Sequence, residues 1–149
     1  MRKLLGIGAV VLGAVGALVC VAAIGLGSAV DLLGYVPNGP ALWELYRSAH
    51  AFLHVSLTEG LPQVLYEAYA AGLPVVATDV GGVRAAVGEA GLLVPPDDAD
   101  AAAAALERLR DDEELRGRLV DASLERARAE TIEAQLDRIA AFLAASTRS

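Results

Sequence analysis

Two glutamates eight residues apart, Glu59 and Glu67, bracket a Gly-Leu-Pro turn in the segment Ser56-Leu57-Thr58-Glu59-Gly60-Leu61-Pro62-Gln63-Val64-Leu65-Tyr66-Glu67. The spacing alone carries little, because Glu125 and Glu133 are also eight apart on stretches that read as solvated helix. What distinguishes the first pair is its setting, where a strand runs through a tight loop into a helix. Pro62 suits the first helical position, which leaves the N–H groups of Gln63 and Val64 directed outward. Such a helix start attracts a diphosphate through its donors and its dipole. Helical side chains lean back toward the N-terminus, so the Glu67 carboxylate can accept hydrogen bonds from hydroxyls of a ligand docked there. Gly60 lets backbone approach the ligand closely. A carboxylate pair could also serve a glycoside hydrolase, but the Gly-Leu-Pro turn into a helix favours a diphosphate over a bare glycoside.

Other polar residues have plainer readings. Asp98-Ala99-Asp100 imitates a metal-binding Asp-x-Asp but stands where a helix begins, which makes Asp98 a cap. His54 reads as a packed strand residue, and Arg47 and Arg84 as solvated surface arginines. Cys20 is the sole cysteine, which rules out a disulfide or a thiolate metal site within one chain.

The elements that must position these residues alternate between β and α. Strands are expected at Leu32–Val36, Ala51–Leu57, Pro74–Thr78 and Gly91–Val94. Helices are expected at Ala41–Ser48, Pro62–Ala71, Gly81–Val87, Ala99–Arg110, Asp112–Ala129 and Ile132–Ala145. Asp111 with Glu114 resembles a capping box, and Ile132, Leu136, Ile139 and Leu143 make one apolar stripe on the last helix. The near-continuous apolar run Val75-Val76-Ala77 suits a parallel strand covered on both faces. The fold class expected is therefore α/β, a doubly wound parallel sheet whose ligands bind beyond the carboxyl ends of the strands.

The chain of 149 residues is enough for one compact core. Its first thirty residues differ from the rest. Arg2-Lys3 precede 27 uncharged residues from Leu4 to Val30, and all 19 acidic residues lie from Asp31 onward. Residues 4–30 are long enough to cross a bilayer as a helix, with Ala9, Gly13 and Ala17 as a small-residue face. The expectation is a single-pass, membrane-associated protein, divided into an apolar segment 1–30 and an α/β body 31–149. A cleaved signal peptide is a rival reading. So is a soluble one, in which Leu4–Val11 is a buried strand and the remainder a packed helix. The basic pair ahead of the segment would place the body outside the cytoplasm. The acidic body argues against nucleic-acid binding.

The run Glu59-Gly60-Leu61-Pro62, followed by Ala71-Gly72-Leu73-Pro74-Val75-Val76-Ala77-Thr78-Asp79-Val80-Gly81-Gly82, strongly resembles the signature of glycosyltransferase family 4, the group 1 glycosyl transferases. Gly91-Leu92-Leu93-Val94-Pro95-Pro96 and Asp112-Glu113-Glu114-Leu115-Arg116 continue the likeness, which covers about Leu33 to Phe142. The resemblance implies the donor-binding C-terminal domain of a GT-B enzyme, Rossmann-like, truncated at its N-terminal side. It implies that Glu59, Gly60 and Leu61 bind the transferred sugar, that amides of Gln63 and Val64 hold phosphate, and that Glu67 binds the ribose. No metal, no cofactor and no side-chain nucleophile are implied; a nucleotide diphosphate sugar is the co-substrate and transfer retains the anomeric configuration. Three departures stand against the family pattern. The Arg and Lys that clamp the diphosphate fall where the apolar head lies, and Lys3 is the only lysine. The acceptor-binding domain is absent. Ala85 stands where the family often has Glu. Two functions follow: a donor-binding module completed by a separate chain that supplies the acceptor domain, or a non-catalytic, membrane-tethered remnant.

Overall fold

The computed structural model describes residues 9–11 and 33–146. Four strands, β1 (Ala9–Val11), β2 (Ala51–His54), β3 (Val75–Thr78) and β4 (Gly91–Val94), form one sheet in the order β1-β2-β3-β4. Every pair is parallel, with Ala9 opposite Ala51, Phe52 opposite Val75 and Thr78 opposite Val94. Six helices are described: α1 (Pro40–Ser48), α2 (Gln63–Ala70), α3 (Val83–Val87), α4 (Ala99–Asp111), α5 (Glu113–Ala129) and α6 (Ile132–Ser146).

Strand order explains where the helices lie. Successive right-handed crossovers that always step the same way across a parallel sheet put their helices on the same face. Thus α1, α2 and α3 share one core, in which Tyr46, Leu65, Tyr69 and Val83 pack on Phe52, Val75 and Ala77. After β4 the chain passes to the other face, where Leu109, Leu115 and Leu119 of α4 and α5 pack with Ala51, Val76 and Val94. Val75 and Ala77 serve the first core and Val76 the second, the period of two expected of a strand. All four residues of β3 are buried, which is why that stretch reads as an unbroken apolar run. Ser123 of α5 is fully buried, and its hydroxyl bonds the carbonyl of Leu73 at 3.0 Å, tying that helix to the lead-in to β3.

The α/β parallel sheet matches expectation; the transmembrane helix does not. Ala9–Val11 lie within the proposed membrane segment, yet they are extended and pair with Ala51–Leu53. A helix from 4 to 30 cannot also contribute that strand, so the fold class loses its membrane helix and the single-pass membrane assignment falls with it. Among the described residues no helix is long and apolar enough to cross a membrane. The remainder of the 1–30 segment lies outside the described residues. The physical reason for the error is that a charge-free run fits either a bilayer or a sheet interior, and length alone does not choose. The strand expected at Leu32–Val36 is corrected too. Residues 33–36 form no strand; Gly34 has φ +64, and Leu33 and Tyr35 are exposed.

Candidate functional site

The loops that follow β2 and β3 meet at the carboxyl end of the sheet. Thr78, the last residue of β3, fastens the first of them. Its hydroxyl donates to the Ser56 carbonyl at 2.8 Å and accepts from the Ser56 N–H at 2.9 Å. The Gly82 N–H then donates to the Gly60 carbonyl at 3.0 Å. The two glycines of the second loop are required by this approach. A Cβ on Gly81 would stand 1.8 Å from the Glu59 carbonyl oxygen, and one on Gly82 would stand 2.3 Å from that of Gly60. Gly81 also has φ +52, which side chains rarely adopt. The backbone at Glu59 and Gly60 is therefore held against the Gly81–Gly82 loop.

The Glu59 carboxylate is partly exposed and lies with Oε1 3.1 Å from Nε2 of His54, whose side chain is nearly fully buried. The ring N–H is not aimed closely enough to make that contact a hydrogen bond, and among the described residues neither ring nitrogen has another partner. Leu61 is exposed. Pro62 stands at the cap position of α2, with no side-chain cap and no acidic residue in the first turn. Pro62, expected as the first helical residue, thus sits one position earlier, and the helix start is left to the amides of Gln63 and Val64. Gln63 is exposed, while Val64 packs its side chain against the first core.

Glu67 lies one turn along α2. Its Oε2 accepts a 2.8 Å hydrogen bond from the Tyr46 hydroxyl of α1. Burial, and then that bond, push the Tyr46 phenol well above its ordinary range, so it stays a donor. Glu67 faces a cleft of about 380 Å³ between α1 and α2, lined also by Asn38, Trp43 and Arg47. Glu59 and Gly60 do not line that cleft. A larger cleft of about 460 Å³, around Arg47, His50, Leu73 and Arg116, involves Leu73-Pro74 just before β3. That is the amino end of the strands, where doubly wound sheets do not bind ligands.

The remaining polar residues fall as read. Asp98 caps α4 through its bond from the Ala101 N–H at 2.8 Å. Arg47 pairs with Glu44 and Arg84 with Asp79, both arginines being exposed. His54, Tyr46 and Thr78 were not picked out as site residues by sequence. The available signal for His54 was its phase with Phe52 on β2, which puts both on the face bearing α1 to α3.

An all-parallel sheet with glycine-bound loops gathered beyond its strand ends is the architecture of nucleotide-binding α/β domains. The sequence matches the family model described as glycosyl transferases group 1 over residues 5–112, more than half of the chain, and the chain belongs to that family. The match begins inside the apolar head, which is thereby part of the family domain. A D-inositol 3-phosphate glycosyltransferase of Thermomonospora curvata is 40% identical over 113 residues, covering 73% of this chain and 26% of that protein. An O-antigen chain mannosyltransferase B of Escherichia coli is 41% identical over 84 residues, or 56% of this chain and 22% of that one. The chain thus spans about a quarter of the length of these relatives. Among solved structures, sucrose-phosphate synthase of Thermosynechococcus elongatus superposes with a TM-score of 0.71 at 29% identity, covering 93% of this chain and 38% of that one. The pneumococcal O-GlcNAc transferase GtfA, solved with UDP and GlcNAc, shares the fold with a TM-score of 0.67 at 20% identity, over 95% of this chain and 29% of its own. The fold is the GT-B type.

Proposed function

We propose that this domain binds the nucleotide diphosphate sugar of a retaining glycosyltransferase, with the acceptor held by a separate domain or chain. The observation that carries the reading is the Glu59–Gly60 loop, tied to the end of β3 and to the loop after it, and delivering a helix start with no side-chain cap. In this reading Glu59 takes the hydroxyls of the transferred sugar, with Gly60 and Leu61 beside it. Amides of Gln63 and Val64 take phosphate, and Pro62, lacking an N–H, offers none. Glu67 takes the ribose through the oxygen that Tyr46 leaves free. The chemistry asked of these groups is stabilisation of the departing diphosphate by fixed donors, which lowers the barrier without a side-chain nucleophile. Supporting the reading further, the solved protein HepE of Anabaena, with UDP bound, has the same fold at a TM-score of 0.71 and 23% identity.

Calorimetric titration with nucleotide sugars, each paired with its bare nucleoside diphosphate, tests the proposal. Glu59→Ala is expected to weaken only the sugar-dependent part of the affinity. Glu67→Ala is expected to weaken nucleotide and nucleotide sugar alike, each by about tenfold, the worth of a charge-assisted hydrogen bond. Affinities untouched by both substitutions would sink the donor-site assignment. Sugar transfer by the chain alone is not expected. Transfer needs an acceptor hydroxyl held beside the anomeric carbon, a gain from proximity of about 7–11 kcal/mol in favourable cases.

A further inference from the structure

We propose that His54 is a positioning residue for Glu59, donating from Nε2 to one carboxylate oxygen so that the other is presented to the sugar of the donor. The inference rests on the donor-site reading above. Its starting point is a buried polar ring with nothing to bond. His54 is only 6% exposed, and both ring nitrogens lack a hydrogen-bond partner among the described residues. Neighbouring positions of the same face are apolar, and the ring lies nearly parallel to Phe52, with centroids 6.4 Å apart and planes 9° from parallel. An imidazole left unbonded there costs free energy that a leucine or phenylalanine would not.

Among the described residues, the charged group within reach is the Glu59 carboxylate, 3.1 Å from Nε2. A small turn of either side chain aligns the N–H with Oε1. Nδ1 has no acceptor to donate to among the described residues, so in the proposed arrangement Nε2 carries the ring N–H that faces Glu59.

The consequence is directional. Gly81 and Gly82 hold the Glu59 backbone in place, but nothing else among the described residues fixes its side chain. One oxygen anchored on a buried donor leaves the second facing outward, and a carboxylate held in one rotamer loses less entropy when a hydroxyl binds. His54 itself is too buried to touch the ligand. It acts through Glu59.

The full-length chain is titrated with UDP-N-acetylglucosamine against UDP, and with GDP-mannose against GDP. Two apolar variants, His54→Leu and His54→Met, are compared with His54→Gln, whose amide places a donor near the Nε2 position. The expected result is a loss of about tenfold in the preference for the sugar-bearing ligand in both apolar variants. Affinity for the bare nucleotide should hold, and His54→Gln should restore much of the preference. Combined with Glu59→Ala, the histidine substitutions should cost nothing more. An unchanged preference, or an equal fall for nucleotide and nucleotide sugar, overturns the proposal while leaving the donor site standing. A wild-type chain that distinguishes neither pair overturns the donor-site reading itself. Independently of any ligand, long-range nitrogen–proton NMR spectra of the free chain should find the Nε2–H tautomer of His54. An Nδ1–H tautomer would overturn the proposal.

Discussion

Glu59 and Glu67 can be read from sequence because their neighbours in the chain, a Gly-Leu-Pro turn and a helix start, declare what surrounds them. Their partners cannot. Tyr46 reaches Glu67 from 21 residues away, through the packing of α1 on α2, and His54 reaches Glu59 only because the intervening loop folds back. Neither contact has a local pattern. Tyr69 is a second phenol whose environment depends on packing. It is fully buried and donates to the Ala86 carbonyl at 3.1 Å. Burial raises its pKa above the ordinary value, against the opposing influence of Arg126, and Tyr46 is raised in the same sense. In the unfolded chain a tyrosine loses its proton near pH 10. The raised folded-state values mean that these groups support the fold fully below about pH 10, and that this support is lost as pH climbs above it. Urea midpoints should therefore be level from pH 7 to about 9 and fall steeply above about 10. Tyr69→Phe should flatten part of that fall while costing about 1 kcal/mol at neutral pH, because the Ala86 carbonyl loses its donor. An alkaline slope identical to that of the wild type would show that other groups are responsible.

At the scale of elements, the buried parallel strands and the long helices are legible because several signals agree at each. The apolar run of β3, the glycine after α2 and the aspartates before α4 and α5 all point the same way. The cap of α5 is displaced by one residue from the sequence reading: Asp112, not Asp111, accepts from the Leu115 N–H, at 2.9 Å. Two elements failed for lack of a second signal. Residues 33–36 are apolar enough for a strand, but the positive φ of Gly34 interrupts extended backbone. The apolar head gave no charge or turn with which to separate a sheet strand from a membrane helix. Glycines test the element scale directly. Gly82→Ala drives a methyl into the Gly60 carbonyl, so it should destabilise the chain by about 1–3 kcal/mol and displace the Glu59 loop. Gly117 lies inside α5, where an added Cβ meets nothing within 4 Å. Gly117→Ala should therefore stabilise by about 0.5–1 kcal/mol. Thermal unfolding of the pair should move in opposite directions; a neutral Gly82→Ala would mean that the two loops are not in close contact.

For the whole molecule, the two cores leave one element without a share in either. Helix α6 has no buried residue. Its apolar stripe, with Ile132, Leu136, Ile139, Phe142 and Leu143 all more than half exposed, is the amphipathic face foreseen from sequence. The spacing correctly gave the helix but could not say whether the body covers that face. Among the bonds that tie α6 to the end of α5, the Arg138 guanidinium reaches the Ala129 carbonyl at 2.6 Å and the Glu130 carboxylate at 3.2 Å. Exposed pairings of this kind contribute about 0–1 kcal/mol. Stability therefore resides in the sheet and in α1 to α5, and deleting residues 132–149 should leave the urea midpoint of the remaining chain within about 0.5 kcal/mol of the full-length value. The same deletion should sharply reduce binding of the dye ANS, which reports clustered apolar surface. The substitutions Ile139→Ser and Phe142→Ser should lower the dye signal without lowering the midpoint. If the truncation instead removes several kcal/mol, α6 packs on the body in solution, and the division of the molecule into two cores and a free amphipathic helix is wrong.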